Sequence, residues 1–516
     1  MTLADVLAGV KRTIKRDDIR GVYGHTLDAD FAYALGLAVA ETLAASTAVK
    51  PVNVVIGHDM RLSGPVLAAS LGTGLEDGGC RPIHMGRAGT ELVGFLPARY
   101  GDLIDGGVMV TASHNPKEYN GFKLYGRSGL TLALAAATPP PAPADPISRL
   151  AAGIRKRRVP DRLRWDEFAP DYVRTVLERA GCDLNAAGTR APLRVAVEAG
   201  NGMGGPIMQE VAAVAPQFEW TFSNEVPDGS FPIIVPNPLQ ERYQRMLSDL
   251  VVRTGSDVGF CLDGDADRLA VCDERGRPLP PPMVTTLIGR RLRRHLGEEA
   301  RIAFNLATSW VVPDTLGDRR NVLGDSGTLM TPVGYGKIKP IMHADPRIAF
   351  GAEHSAHYVF RDFWCSDSGM MACVLMLETV TDLRAEGTPL SAALEGFRSR
   401  YHESGEINFQ LPADRPGDEV IAQAVRRFRD RVRRLYVVVD DRVRMVDAYP
   451  PDGVELSVSD VRAEADDWWF CLRKSGTEAG AGDILRLYVE ADGEPALMEQ
   501  MRDALIELIG PELRMA

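Results

Sequence analysis

The segment TASHNP at residues 111–116 places a serine hydroxyl where it could act as a nucleophile. Apolar residues precede it, and such a run before a polar turn predicts a buried strand that carries Ser113 into an exposed loop. The Asn-Pro step gives the loop a fixed, non-helical shape. His114 and Lys123 are candidate cations beside Ser113, suited to an anionic group on its oxygen. Because a serine in a polar turn is more often only a turn residue, this loop alone does not establish a nucleophile.

Three aspartates at alternating positions follow a second predicted buried strand. On a looped chain, Asp263, Asp265 and Asp267 can converge on one hard cation such as Mg²⁺ or Ca²⁺. With Glu274 they match the ligand spacing of an EF-hand loop, but Arg268 stands where that loop needs glycine, and the flanking segments are strand-like. The EF-hand is therefore rejected, and an acidic turn without a metal remains the alternative. Three carboxylates leave coordination sites open, so the metal could also contact a phosphate.

Two further loops carry groups that could recognise a ligand. Glu353, Ser355 and His357 alternate after a predicted strand, so all three could point the same way. A carboxylate beside a hydroxyl can hold neighbouring sugar hydroxyls, and His357 could act as a general acid or base. Residues 473–477, with the sequence RKSGT, offer groups that suit a phosphate dianion held without a metal. Either loop alone would more often be an ordinary polar connection.

The elements that must position these loops alternate between strands and helices. In the first part of the chain, strands at 52–56 and 82–85 separated by helices predict a parallel sheet covered on both faces. Reactive loops sit at the carboxyl ends of the strands in such sheets, which is where Ser113 is placed. Residues 1–18 are predicted to form an amphipathic helix, and residues 131–146, rich in Ala and Pro, a solvated excursion.

The rest of the chain first repeats this order and then departs from it. Two more units follow the same strand-helix rhythm, which suggests a structural repeat. A glycine-rich turn at residues 198–205 could cradle a phosphate, but it lacks the GxGxxG order, so a packing turn is the favoured interpretation. The C-terminal part alternates strands with helices at 418–435 and 495–509, which predicts a smaller α+β domain with a separate sheet.

Composition is typical of a soluble globular protein with several cores. The 516 residues suggest three or four domains at about 150 residues each. The net charge of −11 argues against non-specific binding to nucleic acid or anionic lipid. The sequence has no apolar run of about 18 residues, and its seven cysteines without a CxxC pair fit a reducing compartment. We therefore expect a cytoplasmic monomer or homodimer without a nucleic-acid or membrane partner.

All four loops together, in this order and spacing, resemble the α-D-phosphohexomutase superfamily, which includes phosphomannomutase/phosphoglucomutase. TASHNPKEYNGFK resembles its phosphoserine loop, DGDADR its metal loop, AEHSAHY its sugar-recognition loop and RKSGTE its phosphate-binding loop. Residues 18–24, 199–203 and 228–232 are also similar, so the resemblance covers essentially the whole chain. It implies a heart-shaped α/β fold with three similar mixed-sheet α/β domains and a C-terminal α+β domain. The expected domains, each with one of the four loops in that order, are 1–165, 166–272, 273–398 and 399–516.

The resemblance also implies a role for each residue of these loops. Ser113 would be phosphorylated in the active enzyme and would hold Mg²⁺ together with Asp263, Asp265 and Asp267. The other catalytic residues would be Arg20, Lys123, Arg268 and His357. The residues that contact the sugar phosphate substrate would be Tyr23, Tyr335, Glu353, Ser355, His357, Arg473, Ser475, Gly476 and Thr477. The implied reaction moves a phosphoryl group between the 1- and 6-positions of mannose or glucose phosphate through a hexose 1,6-bisphosphate.

Departures from the family's pattern bear on the choice of substrate. Apolar residues at 233–235 replace polar ones, and residues 333–337 read VGYGK where a Gly-His pair is usual. Residues 479–483 form a longer and looser link, and residues 89–91 replace a Thr-Pro turn. None of these changes is expected to touch the phosphoserine or the metal. The alternatives to a mannose or glucose phosphate mutase are an amino-sugar or specialised sugar-phosphate mutase, and a non-catalytic sugar-phosphate-binding paralogue.

Overall fold

The computed structural model describes residues 14–15, 18–46, 51–127, 129, 131–132, 162–412, 414–446, 460–474 and 484–515. The chain divides into two compact units, of which the first holds residues 1–279 and 356–390 and the second holds residues 280–355 and 391–516. Within the described ranges, no helix has the length and apolar character that crossing a membrane requires.

The first unit begins with a six-stranded sheet that carries the Ser113 loop. In spatial order its strands are Ile14–Lys15, Asp18–Val22, Tyr119–Gly126, Gly106–Val110, Val52–His58 and Cys80–Arg87. Its helices are Ala29–Ser46, Gly64–Asp77 and Thr90–Arg99. The predicted N-terminal helix is wrong at residues 14–15, which pair as a strand with the next segment, and residues 1–13 lie outside the described part of the chain. The predicted excursion lies outside it from residue 133 to residue 146.

This first sheet is mixed, as the family resemblance implies, and the parallel arrangement predicted from the local order of elements holds for three of its strands. The strands Val52–His58, Cys80–Arg87 and Gly106–Val110 are parallel, and the other pairings are antiparallel. Parallel neighbours need a crossover of about a dozen residues or more. Residues 111–118 are too short for that, so the following strand returns antiparallel and places Lys123 opposite Met109.

A second sheet of five strands carries the aspartate loop. In spatial order its strands are Pro278–Leu279, Leu269–Asp273, Val258–Leu262, Arg194–Glu198 and Glu219–Ser223. Its helices are Trp165–Ala180, Leu184–Arg190, Gly204–Val214 and Glu241–Thr254. The strands on either side of the aspartates pair antiparallel, with Leu262 opposite Leu269. These strand flanks exclude an EF-hand, which needs helices at both ends of its loop.

The glycine-rich turn at residues 198–205 packs against the aspartate loop. The amide of Met203 donates to the carbonyl oxygen of Gly264 at 2.9 Å. A Cβ added to Gly205 would lie 2.0 Å from the carbonyl oxygen of Glu225, so a larger residue does not fit there. Close approach of backbones therefore accounts for these glycines, in agreement with the favoured interpretation of the sequence.

Residues 356–390 complete the first unit. They form the strands Tyr358–Phe360 and Ser366–Asp367 and the largely buried helix Gly369–Ala385. Glu91 fixes the start of this helix, because its carboxylate accepts the Ser368 hydroxyl at 2.6 Å and the Met370 amide at 3.2 Å. A carboxylate at a helix N-terminus pairs with amides that otherwise lack partners.

The second unit joins a parallel sheet to a C-terminal antiparallel one. The parallel strands are Arg301–Asn305, Thr328–Thr331 and Ile348–Ala352, with helices Pro281–Leu296, Val311–Leu316, Tyr335–Ala344 and Leu390–Arg398. The antiparallel strands are Tyr401–Glu403, Ile407–Gln410, Arg434–Val439, Arg442–Val446, Asp460–Glu464, Trp468–Lys474 and Ile484–Asp492, with helices Gly417–Phe428 and Pro495–Ile509. The predicted helix 418–435 ends at Phe428, because Arg434 already pairs with Glu464. The predicted α/β class with a C-terminal α+β part is confirmed.

A buried polar contact fixes the loop after Asn305 on the C-terminal sheet. The Arg462 guanidinium, which has no exposed surface, donates to the carbonyl oxygens of residues 306 and 308 at 3.0 and 2.6 Å. Its Nε also pairs with Glu464 at 2.7 Å. A buried charge is tolerated only when it is paired and hydrogen-bonded, so this arrangement has little freedom to shift.

Candidate active site

The side chains of Ser113 and Asp263 meet in the first unit. The Ser113 hydroxyl donates to Asp263 Oδ2 at 2.6 Å, although 150 positions separate the two residues. Ser113 is 1% exposed and Asp263 is 0% exposed. The backbone of Ser113 has a φ of +51°, in the left-handed region that residues with a Cβ rarely adopt. The two sheets therefore bring the predicted nucleophile onto the first predicted metal ligand.

Arg61 holds the Ser113 loop in this conformation. The guanidinium, itself 1% exposed, donates at 2.6–2.9 Å to the carbonyl oxygens of Ser113, Asn115, Pro116 and Tyr119. Its Nε pairs with the buried carboxylate of Asp59 at 3.1 Å. Arg20 Nη1 adds a hydrogen bond of 2.6 Å to Asn115 Oδ1. The loop is thus built around one buried arginine, with a second arginine on its outer side.

The three predicted metal ligands converge. One carboxylate oxygen from each of Asp263, Asp265 and Asp267 lies within 4.8 Å of the others, and all three residues are fully buried. Within the described part of the chain, the Oδ1 atoms of Asp265 and Asp267 have no hydrogen-bond partner. Buried carboxylate oxygens in this state suit a hard divalent cation, which prefers oxygen ligands. The residues present therefore fit a metal ion.

Lys123 and Arg268 supply positive charge beside these aspartates. Lys123 Nζ donates to Asp265 Oδ2 at 2.8 Å and also pairs with Asp267, while Arg268 Nε lies 3.7 Å from Asp263 Oδ2. Burial and the two neighbouring carboxylates raise the pKa of Asp263 well above its usual value. Burial also acts on Asp265, but the Lys123 ammonium outweighs it and lowers the pKa of that carboxyl below its usual range. A divalent cation among the three carboxylates would offset their mutual repulsion and favour their charged forms.

His114 differs from the prediction that it is a cation beside Ser113. Its Nδ1 does lie near the serine, 3.1 Å from Oγ. However, burial, followed by the positive charges of Arg268 and Arg20, lowers the pKa of His114 well below its usual value. The ring is therefore neutral near pH 7, and the prediction of a cation at this position is wrong. Lys123 lies with the aspartates, where its Nζ pairs with the carboxylates of Asp265 and Asp267.

His357 lies in the first unit, next to the aspartate loop. Its backbone pairs with that of Arg268 in a β-bridge, and its Nδ1 lies 3.3 Å from Asp367 Oδ2. Ligand atoms of His357, Asp267 and Asp367 all lie within 4.8 Å of one another, and His357 is 3% exposed. A buried histidine next to a carboxylate and to the aspartate loop can transfer a proton in this site.

Glu353 and Ser355 form the predicted recognition loop in the second unit. Glu353 Oε1 accepts the Gly334 amide at 2.6 Å and Asn305 Nδ2 at 3.1 Å, and the Ser355 hydroxyl donates to Glu353 Oε2 at 3.1 Å. The predicted alternation that extends to His357 is wrong, because the chain turns after Glu353 instead of continuing as a strand. Both oxygens of the Glu353 carboxylate thus accept hydrogen bonds from residues of the same unit.

The predicted phosphate-binding loop is described only at its start. Arg473, at 9% exposure, lies near the end of the strand Trp468–Lys474, with Nη2 3.9 Å from Glu406 Oε2. Outside the described residues lie Ser475, Gly476, Thr477 and the side chain of Tyr335. Tyr23 lies in the first unit directly after the strand that carries Arg20, and it is 39% exposed.

Several members of these clusters were missed in the sequence: Asp59, Arg61, Thr90, Asn305, Asp367 and Glu406. The Thr90 hydroxyl donates to Asp265 Oδ2, and its amide donates to the Asp265 carbonyl oxygen at 2.9 Å. The expectation that residues 89–91 lie away from the metal site is therefore wrong. A usable signal was present for Asp59, which stands just beyond the strand predicted at 52–56, where reactive loops of α/β sheets gather.

Three segments of the chain match models of known protein domains. Residues 11–138, 170–276 and 281–401 match domains I, II and III of phosphoglucomutase/phosphomannomutase, each described as an alpha/beta/alpha domain. The chain is 31% identical over 515 residues to a phosphomannomutase of Salmonella montevideo, covering 96% of this chain and 98% of the relative. It is likewise 31% identical over 513 residues to a phosphomannomutase of Escherichia coli strain K12, with the same coverage.

Solved structures share the fold. A phosphoglucomutase/phosphomannomutase family protein from Burkholderia thailandensis superimposes with a TM-score of 0.71 at 24% identity, covering 97% of this chain and 98% of that one. The open form of pp63/parafusin, a phosphoglucomutase from Paramecium, gives a TM-score of 0.69 at 16% identity, covering 93% of this chain and 91% of that one. At these sequence identities the similarity supports the fold and does not by itself assign roles to the residues of the site.

Proposed function

This chain belongs to the phosphoglucomutase/phosphomannomutase family and is a phosphohexomutase, and we propose that it interconverts the 1- and 6-phosphates of mannose or glucose through a phosphoserine at residue 113. The observation that carries this proposal is the contact of the Ser113 hydroxyl with Asp263, inside a buried group of three aspartates and a lysine. A hydroxyl placed there can carry a phosphoryl group whose charge is met by fixed neighbours.

Phosphoryl transfer needs alignment and charge compensation more than covalent rearrangement by the protein. In the forward step, the bond between Ser113 Oγ and phosphorus breaks while a bond forms to a free hydroxyl of the hexose monophosphate. His357, which lies beside Asp367, accepts the hydroxyl proton, and Lys123 gives a proton to the departing Ser113 oxygen. The resulting hexose 1,6-bisphosphate turns end for end, and the other phosphoryl group returns to Ser113. Arg20 and Arg268 orient and stabilise the reacting groups.

The metal in this proposal is Mg²⁺, held by Asp263, Asp265, Asp267 and the phosphorylated Ser113. When bound, it would supply positive charge at the transferring phosphoryl group. Support comes from two carboxylate oxygens of these aspartates that have no hydrogen-bond partner within the described residues, and from the oxygen-only donor set.

Recognition of the substrate is assigned to the residues that remain. Glu353 and Ser355 contact sugar hydroxyls, and Arg473 holds the phosphate that is not reacting. The other residues proposed to contact the substrate are Tyr23, Tyr335, His357, Ser475, Gly476 and Thr477. The departures at residues 233–235 and 333–337 make a specialised sugar-phosphate mutase the second candidate, because they change the groups available to the sugar.

The test combines a covalent readout with turnover. Purified protein incubated with glucose 1,6-bisphosphate should carry phosphate on Ser113 by mass spectrometry, and coupled assays with mannose, glucose and glucosamine phosphates should identify the substrate. Ser113→Ala should remove the phosphate and lower kcat by about a thousandfold or more. Ser399→Ala, at an exposed serine, is the matched control and should change neither. Full mutase turnover by Ser113→Ala would refute the nucleophile, and hexose-phosphate binding without turnover would identify a non-catalytic paralogue.

A further inference from the structure

Glu406 joins two arginines at the start of the predicted phosphate loop. Arg473 and Arg486 stand directly opposite each other on the paired strands Trp468–Lys474 and Ile484–Asp492. The Glu406 carboxylate lies 3.1 Å from Arg486 Nη1 and 3.9 Å from Arg473 Nη2, and it accepts the Tyr488 hydroxyl at 2.7 Å. Like charges directly opposite on a sheet repel each other. One carboxylate between two guanidinium groups reduces this repulsion and still leaves a positive excess.

This positive excess lies where an anion could reach it. The side chain of Glu406 is 25% exposed and that of Arg486 is 23% exposed, whereas that of Arg473 is 10% exposed. Arg473 Nε is buried without a hydrogen-bond partner within the described residues. Two guanidinium groups on paired strands can donate several hydrogen bonds to the oxygens of one phosphate.

His354 connects this cluster to the recognition loop. The Asn305 side chain has a fixed orientation, because its Oδ1 accepts the Ala307 amide at 3.1 Å and the Thr308 hydroxyl at 2.9 Å. Its Nδ2 donates to Glu353 Oε1 at 3.1 Å, and His354 Nδ1 lies 3.0 Å from this Nδ2 and 3.2 Å from Asn305 Oδ1.

The other ring nitrogen of His354 faces Glu406, with 3.8 Å between Nε2 and Glu406 Oε2. Burial lowers the pKa of His354 below its usual value, so the ring is neutral near pH 7. The ring also packs edge-on against Tyr488, with 4.8 Å between the ring centroids. A row of polar side chains thus runs from Glu353 through Asn305 to His354, whose ring lies next to Glu406.

We propose that Glu406 and His354 are positioning residues of the substrate site, and that Arg486 is a second arginine for the phosphate. Glu406 orients Arg473 and Arg486 as a pair, and His354 keeps that pair at a fixed distance from the sugar-binding carboxylate of Glu353. The spacing between Glu353 and the arginine pair would then match a hexose whose hydroxyls contact Glu353 and whose distal phosphate contacts the two arginines. This inference rests on the proposed function for the identity of the ligand.

The experiment measures binding without turnover. In a Ser113→Ala background, calorimetric titration with mannose 1-phosphate and glucose 1-phosphate gives Kd directly. Glu406→Gln keeps the size of the side chain but removes its charge, and it should raise the Kd of the bound ligand about tenfold or more. His354→Phe keeps the ring against Tyr488 but loses both nitrogens, and it should raise Kd as well. Arg486→Met should do the same.

The controls separate positioning from general destabilisation. Asp345→Asn removes the charge from a carboxylate that lies 2.7 Å from Arg301 in the same unit. It should change Tm about as much as Glu406→Gln does but leave Kd unchanged. Because Glu406 and His354 are proposed to act together, the Kd of the double variant should be about equal to that of the single variant with the higher Kd. Multiplicative effects, or an unchanged Kd in Glu406→Gln, would overturn the positioning role. If the Ser113→Ala parent binds neither sugar phosphate, the proposed function fails instead.

Discussion

The two units hold clusters of charged side chains that differ in composition. Around Ser113 in the first unit, three fully buried aspartates converge beside Lys123 and Arg268, and two of their carboxylate oxygens have no hydrogen-bond partner within the described residues. Around Glu406 in the second unit, two arginines lie against one carboxylate. We propose that the first arrangement takes a cation and the second an anion.

The difference also extends to how each cluster is held. The Ser113 loop is fixed by hydrogen bonds from a buried arginine to four backbone carbonyl oxygens, which leaves little freedom. The Glu406 cluster is held by side chains that remain partly exposed. Fixed charges suit a chemical step, where reorganisation slows the reaction, and partly open ones suit a ligand that must enter and leave.

The largest effect should come from removing the buried arginine of the first unit. Arg61→Met leaves the carboxylate of Asp59 without its cation and four carbonyl oxygens without a donor, so we expect a loss of about 3–5 kcal/mol in unfolding free energy. Urea unfolding measures it, together with phosphate incorporation at Ser113, which should also fall. Arg99→Met, at an exposed arginine, is the control. A loss no larger than that of the control would show that the loop does not depend on Arg61.

A smaller effect should distinguish the metal site from the recognition site. The Thr90 hydroxyl orients Asp265, so Thr90→Val should weaken Mg²⁺ binding by about 10- to 100-fold in calorimetric titration, as expected when a group that orients a ligand is lost. Thr90→Ser keeps the hydroxyl and should bind as the parent does. Glu353→Gln, in the second unit, should leave Mg²⁺ affinity unchanged while it changes the KM for the sugar phosphate. Equal Mg²⁺ affinity in Thr90→Val and Thr90→Ser would rule out this role of Thr90.

The sequence predicts these clusters unequally, for physical reasons. Ser113 and the aspartates stand in short local motifs after apolar strands, so pattern and chemistry coincide within a few residues. Glu406 has no such motif, because its partners come from strands that only the fold brings together. The charge of His114 was mispredicted because burial and neighbouring cations, which lower its pKa, cannot be read from its own segment.

The fold was predictable wherever local order decides it. The strands predicted at 52–56 and 82–85 are observed as Val52–His58 and Cys80–Arg87, and the helix predicted at 495–509 is observed at those bounds. The direction of the strand after Ser113 depends on the length of its connection, and the alternation of strands and helices does not reveal it. The four domain boundaries and the roles of individual site residues stay predictions.

The last prediction concerns Glu91 in the first unit and Glu406 in the second, whose surroundings shift their pKa values in opposite directions. Burial, with a smaller contribution from the charge of Asp267, raises the pKa of Glu91 from 4.5 to about 8. Glu406 is also affected by burial, but the adjacent His354 ring and the charges of Arg486 and Arg473 outweigh it and lower the pKa of that carboxyl below its usual range. One group therefore binds its proton more tightly in the folded state, and the other binds it less tightly.

Linkage gives these two groups opposite pH dependence. The stabilising contribution of Glu91 is complete below pH 4.5 and is lost as the pH rises toward about 8, whereas that of Glu406 is present above pH 4.5 and is lost as the pH falls below it. Urea unfolding of the parent, Glu91→Gln and Glu406→Gln across this range measures both, because glutamine does not titrate. The difference between parent and Glu91→Gln should shrink with rising pH, and that between parent and Glu406→Gln should shrink with falling pH. Parallel curves for all three proteins would show that the two units do not differ in the electrostatic setting of their carboxylates.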